Sequence, residues 1–191
     1  MIPTRYLVRN ADVDDIATVT QLLQASYPIL MKSAYDSAML APALELMTRA
    51  NPKLLSSGTY YLAESEDGTV VGCGGWTRES PGGGTAVEGI GHIRHFGTHP
   101  GWTRKGIGRA IFRRCEEDAR ASGIREFECY SSLNAECFYS ALGFERIGVL
   151  DIQIGPEVSL TSCHMHYRFR DETERQFLAD KEHSEDRNGA A

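Results

Sequence analysis

Apolar and polar positions change their period several times along the chain, and each change marks an element. Arg5–Arg9 (RYLVR) reads as a short strand. Asp12 then precedes Ile16, Val19, Leu22 and Leu23, apolar at helical spacing, which predicts a first helix. Tyr27-Pro28 is expected to interrupt it, because proline disfavours helical geometry in the residue before it. A second helix is predicted around Asp36–Arg49, with Asn51-Pro52 as its stop. Thr59–Glu64 (TYYLAE) and Thr69–Trp76 (TVVGCGGW) read as strands joined by a tight Asp67-Gly68 turn. The glycines of the second strand point to a bulge or to close backbone packing. After a flexible Ser80–Thr85 loop, Glu88–Thr98 (EGIGHIRHFGT) is predicted as a strand ended by Pro100.

Gly106–Ser122 carries the clearest helical pattern. Ile107, Ile111, Cys115 and Ala119 recur every four residues on one stripe, and Gly123 closes the helix. Glu126–Ser131 is a predicted strand. Asn134–Leu142 is a predicted short helix with Gly143 at its end. Phe144–Leu150 and Cys163–Arg170 look like a closing pair of strands. The order β-α-α-β-β-β-α-β-α-β-β predicts a mixed α/β sheet with helices packed on it. Residues 1–170 are read as one domain, and 171–191 as a charged C-terminal tail, disordered in its last ten or so residues. A chain of this length buries enough surface to fold without disulfides or metal.

The net charge of −6 argues against nucleic acid as the main partner, since phosphate contacts need a surplus of Lys and Arg. It is compatible with a cationic substrate, although solubility alone accounts for it. The five cysteines are odd in number and form no Cys-x-x-Cys, so they are read as buried, reduced thiols of a cytoplasmic protein. The N-terminus turns acidic where a signal peptide would be apolar, and no apolar run approaches the roughly 18 residues of a membrane span.

One segment departs from this acidic background. His99–Arg114 (HPGWTRKGIGRAIFRR) places a proline and a loop after a strand, then two glycines at a helix start. Unpaired amides and the helix dipole favour an anion there, and Gly106 and Gly108 let a ligand approach the backbone. Arg104, Lys105, Arg109, Arg113 and Arg114 cluster within eleven residues. These features suit a phosphate or pyrophosphate cradle, or else a glycine-capped loop before a solvated basic helix. No GK[ST] follows the glycines, which excludes a P-loop, and the third glycine of a dinucleotide fingerprint is missing.

Pro100–Ala110 (PGWTRKGIGRA) resembles motif A of the GNAT acetyltransferase superfamily, whose core is [Q/R]-x-x-G-x-[G/A]. Asn134–Phe144 (NAECFYSALGF) resembles its motif B. The element order matches over about residues 4–170. One departure is Thr103, where the motif usually begins with Gln or Arg; a side-chain contact to phosphate would be lost there, and Arg104 or Lys105 would replace it. The resemblance implies an acyl-CoA N-acyltransferase fold, with a mixed, mostly antiparallel, splayed sheet and about four helices. It implies acetyl-CoA as co-substrate, a primary amine as acceptor and direct attack without a metal. Backbone groups of Arg104, Lys105, Gly106, Ile107 and Gly108 would hold the pyrophosphate, with Thr103 and Arg109 also in the coenzyme site. Phe96, Gly97 and Thr98 would meet the pantetheine arm and polarise the thioester carbonyl. Asn134 would contact the coenzyme, or cap its short helix. Homodimers are common in that family, and nothing in this sequence decides the matter.

Tyr139 is the leading catalytic candidate, as hydrogen-bond donor or acid toward the departing thiolate; packing is the alternative. For the base that deprotonates the amine, His92 and Glu88 are the candidates. On a regular strand they share a face, with His95 and His99 on the other, unless a bulge intervenes. His92, His95 and His99 have metal-like spacing but do not converge on a strand, and no metal is expected. Tyr27, Met31, Tyr35, Trp76 and Phe96 would either line the acceptor pocket or belong to the core. Two non-enzymatic readings stay open: a module that senses acyl-CoA, and an interaction protein that keeps only the fold.

Overall fold

Proline does not stop the first helix. In the computed structural model, which describes residues 6–170, strand β1 (Tyr6–Asn10) leads to helix α1 (Ile16–Leu30), with Pro28 inside it. Pro28 stands in the last turn, where its missing N–H removes one backbone bond from near the end of the helix. Val19, Leu22, Leu23, Ser26 and Tyr27 are buried and hold the helix across that gap. Helix α2 (Ser37–Met47) starts where Asp36 accepts a hydrogen bond from the Ala38 amide at 2.8 Å. Asn51-Pro52 does not merely stop α2. Asn51 caps a further turn, α3 (Pro52–Leu55), whose first position suits proline.

The remaining elements are β2 (Tyr60–Ser65), β3 (Val70–Thr77), β4 (Ile90–Thr98), α4 (Ile107–Ala121), β5 (Glu126–Ser132), α5 (Glu136–Ser140), β6 (Glu145–Gly155) and β7 (Val158–Arg168). They form one seven-stranded sheet in the order β1-β2-β3-β4-β5-β7-β6. Every neighbouring pair is antiparallel except β4–β5, which is parallel. A parallel pair needs a long crossover, and α4 supplies it. The predicted Asp67-Gly68 turn joins β2 to β3, with Gly68 at φ 83°. Strands β6 and β7 run 11 residues each, longer than predicted. β6 is exposed at most positions, so it carries no alternation to read.

Alternate residues of β2 enter alternate cores. Tyr61 and Ala63 join Ile107, Ile111, Cys115 and Ala119 of α4. Tyr60 and Leu62 join Leu22, Leu23 and Tyr27 of α1 and Leu40 and Ala43 of α2. The sheet therefore separates α4 from α1 and α2. Its contact with α4 is close: a Cβ on Gly72 would collide with Ile107, so this glycine fixes how near the start of α4 lies to β3. No helix of the described residues is long and apolar enough to cross a membrane.

Candidate active site

The centre of β4 is irregular. Cys73 pairs with Gly97 but Gly75 pairs with Arg94, so His95 and Phe96 together oppose Gly74. His95 has φ 46°, in the left-handed region that side chains rarely adopt. Such a bulge reverses which face later residues address. A Cβ on Gly91 would meet Phe127 and Trp76, on the α4 side, whereas one on Gly97 would meet Leu23 and Tyr27, on the α1 side. The simple alternation of four polar residues on one strand therefore fails beyond Arg94.

Three hydroxyls anchor the strand past the bulge. Tyr60 donates to the His95 carbonyl at 2.9 Å, Tyr27 to the Phe96 carbonyl at 3.1 Å and Ser26 to the Thr98 carbonyl at 2.8 Å. The Phe96 ring lies over Gly74, where a Cβ would stand 2.5 Å from it. Ser26 and Tyr60 carry no motif signal; only the helical stripe of α1 and the alternation of β2 could have pointed them at β4.

β4 and β5 pair for three residues only: Ile90 with Glu126, Gly91 with Phe127 and His92 with Glu128. The Gly89 carbonyl, which accepts from the Arg125 amide at 2.8 Å, closes this end. Beyond it the strands diverge, and β5 continues on β7 alone. Phe138 and Tyr139 of α5 meet Phe96 in the widening gap, with ring centroids 6.3 and 6.2 Å from it. Tyr139 also packs on Phe144 at 5.3 Å and is buried. Burial, reinforced by the neighbouring Cys129 thiol, pushes its phenol well above the usual range, so it stays protonated.

The start of α4 faces the same region through α5. Arg104 at φ 63° and Gly106 at φ 82° turn the chain into the helix, and Gly106 is its N-cap. The Gly106 carbonyl accepts the first helical bond, from Ala110. The amides of the first turn have no carbonyl within the helix to receive them. A Cβ on Gly108 would stand 2.9 Å from the Phe138 ring, so that glycine brings the α4 start against α5. Exposed Arg104, Lys105 and Gly106 and a left-handed turn fit a pyrophosphate-bearing ligand. Arg109 is partly committed elsewhere, donating to the Ala141 carbonyl at 3.2 Å. Lys105 lies 4.5 Å from the centroid of the Trp102 ring, and the Thr103 hydroxyl donates to Pro100. Asn134 is exposed on the turn before α5, which has no side-chain cap.

The base candidates are widely separated in environment. Glu88 is exposed on the turn before β4, which begins only at Ile90, so the first residue of the predicted Glu88–Thr98 strand falls outside the strand itself. His99 caps the turn at Pro100 by accepting from the Gly101 amide. Burial and Arg94 push the His95 imidazole down to about 4. His92 is buried at the last paired register, its Nδ1 3.8 Å from Glu128 Oε2. His164 of β7 places its Nε2 3.6 Å from the same oxygen. Glu128 was not singled out from the sequence, although the alternation of EFECYS could have placed it beside His92 once β4 and β5 were paired.

Met31, Tyr35 and Trp76 are core residues, and the Tyr35 hydroxyl ties the Thr161 carbonyl to the Leu133 amide. Four cysteines are buried, but Cys137 is exposed, because it falls on the outer face of α5. Among the described residues no group of three or more His, Cys, Asp or Glu side chains is placed to hold a metal ion.

Residues 56–146 match the family model of the acetyltransferase (GNAT) domain, a stretch that contains β2 through α5 and the opening between β4 and β5. No curated protein gives a significant match. Among solved structures, a GCN5-related N-acetyltransferase from Rhodopseudomonas palustris aligns with TM-score 0.69 at 18% identity, covering 88% of this chain and 99% of that one. The PaiA N-acetyltransferase of Thermoplasma acidophilum, solved with coenzyme A, aligns with TM-score 0.61 at 14% identity over 86% and 99%. The polyamine N-acetyltransferase of Drosophila melanogaster aligns with TM-score 0.59 at 16% identity over 86% and 100%. The matched segment and the shared architecture agree with the two sequence motifs, and the chain has the GNAT fold.

Proposed function

We propose that this chain transfers an acetyl group from acetyl-coenzyme A to a primary amine by direct attack. The observation that carries the reading is the three-residue pairing of β4 and β5, which opens beside the α4 start with Tyr139 in the gap. The coenzyme-bound Thermoplasma relative and the polyamine-acetylating Drosophila relative support it.

The coenzyme would supply the acetyl group as an activated thioester. Thr103 to Arg109 would hold its pyrophosphate, mainly through backbone amides, with Arg104 and Lys105 adding charge. Phe96, Gly97 and Thr98 of β4 would meet the pantetheine arm, and Asn134, exposed on the turn after β5, would contact the coenzyme. Tyr27, Ser26 and Tyr60 fix the β4 carbonyls, and so fix the direction of the amides between them. The Tyr139 phenol holds its proton too tightly to release it fully to a thiolate, so its role is hydrogen-bond donation to the departing sulfur. Burial depresses the basicity of His92, which keeps it neutral and able to take a proton from the incoming ammonium. Glu88 lies at the closed end of the strand pair, so the base role is assigned to His92.

A thermal melt with about 1 mM acetyl-CoA tests the reading. A dissociation constant near 10 µM would add about 2.7 kcal/mol, a rise of about 5–10 °C at this chain length. Release of free thiol in the presence of an amine panel would then identify the acceptor. A rise without thiol release from any amine would indicate a coenzyme-sensing module; no rise in a cooperatively melting protein would overturn coenzyme binding.

A further inference from the structure

The face of the sheet opposite α4 carries an unusual cluster. Glu128 lies between Phe127 and Cys129, and His164 between Cys163 and Met165, all four flanking residues belonging to the α4-side core. Alternation therefore turns Glu128 and His164 to the other face, where His92 joins them across β4. His92 Nδ1 and His164 Nε2 are both buried without a hydrogen-bond partner. Both point at one carboxylate oxygen, at 3.8 and 3.6 Å. These gaps exceed a hydrogen bond but lie within reach of an ion pair once either ring is charged. Buried polar atoms left this way are uncommon and call for an explanation.

The other groups around His92 do not relieve it. Arg94 of β4 is held by the Thr77 hydroxyl at 2.8 Å, and Glu79 follows β3. Both act on the ring only through their charge, Arg94 against protonation and Glu79 in favour. Glu126 and His166 form their own contact at 2.9 Å, at the next position along the same face. The Tyr130 ring lies against His164 at 5.1 Å. The side chain of His92 is 6% exposed, whereas those of Glu128 and His164 are 24% and 23% exposed. The cluster thus runs from a buried end at the opening between β4 and β5 to an end that reaches solvent.

We infer that Glu128 is a positioning residue for His92, and that His92, Glu128 and His164 act as one proton-holding unit with His164 as its outlet; this rests on the acetyl-transfer reading. With Nδ1–H turned to Glu128, His92 Nε2 keeps its lone pair for the substrate. The ammonium N–H bond breaks, its electron pair stays on the amine nitrogen, and the proton forms a bond to Nε2. Glu128 stabilises the resulting imidazolium. The Nδ1 proton then passes to the carboxylate and on to His164 Nε2, and His164 loses its Nδ1 proton to water. This returns the unit to its starting charge with both rings in the opposite tautomer, and exchange of their protons with water restores the Nε2 lone pair of His92.

The test is a pH titration of the imidazole signals by NMR in the full chain, for the parent, Glu128→Gln, Glu128→Asp and His164→Gln. Removing the carboxylate charge is expected to move the His92 midpoint down by about one pH unit. Glu128→Asp retains most of the parental midpoint. His164→Gln moves it upward, because a like charge is lost. An unchanged His92 midpoint in Glu128→Gln overturns the inference. Should Glu128→Gln lose its cooperative melt, His164→Gln decides in the same way, and an unmoved midpoint there overturns it. The acetyl-CoA melt of the parent is read separately: its failure removes the acetyl-transfer reading, and the titration alone judges the coupling.

Discussion

The two faces of β5 and β7 differ as sharply as two proteins would. On the α4 side, Phe112, Phe127, Phe144, Tyr167 and Phe169 form a continuous aromatic cluster, with centroids from 4.8 to 6.1 Å apart. On the other side, one residue away along each strand, stand Glu126, Glu128, His164 and His166. A strand's period of two lets one segment serve stability and chemistry at once, with little interference between them. Substitutions on the two faces should therefore separate into losses of folding and losses of turnover.

Phe127→Ala should break the apolar face hardest. The residue is fully buried, and its loss should cost about 3–5 kcal/mol in chemical denaturation. Tyr139→Phe sharpens the contrast from within the opening. It should leave the acetyl-CoA melting shift intact and lower turnover by about 10²-fold; unchanged turnover would remove the sulfur-binding role. Tyr35→Phe lies on the α1 and α2 side. It should cost about 1–2 kcal/mol, since the hydroxyl ties Thr161 to Leu133. The smallest effect is a slope. His92 and His95 both resist protonation when folded, His95 down to about 4. The unfolded chain thus binds more protons below pH about 6.5. Stability should be full above that pH and decline toward pH 4; urea midpoints across this range, flatter in His95→Gln, would show it.

Elements whose pattern is local were readable in advance. The stripe Ile107, Ile111, Cys115 and Ala119 gave α4, and all four are buried. The expected break at Pro28 is absent because burial of the surrounding turn outweighs one missing amide. In the candidate site, the α4 start sits within one stretch of sequence and could be recognised there. The cluster at His92 draws on β4, β5 and β7, and its geometry depends on strand pairings that no local pattern states. The bulge at His95 is a third case. Gly72, Gly74 and Gly75 hinted at irregularity on the partner strand, but not at which residue of β4 would be doubled.

The brief pairing of β4 with β5 also bears on mechanics. Strands β1 to β4 and β5 to β7 are two ribbons hinged along three residues, with α4 as the strap between them. Amides along that hinge should exchange with solvent through an opening of the ribbons rather than through global unfolding. A ligand seated between the ribbons would act as a wedge that also fastens them. Its arrival should register as slowed exchange at Ile90–His92 and Glu126–Glu128, on strands joined before it came and harder to part afterwards.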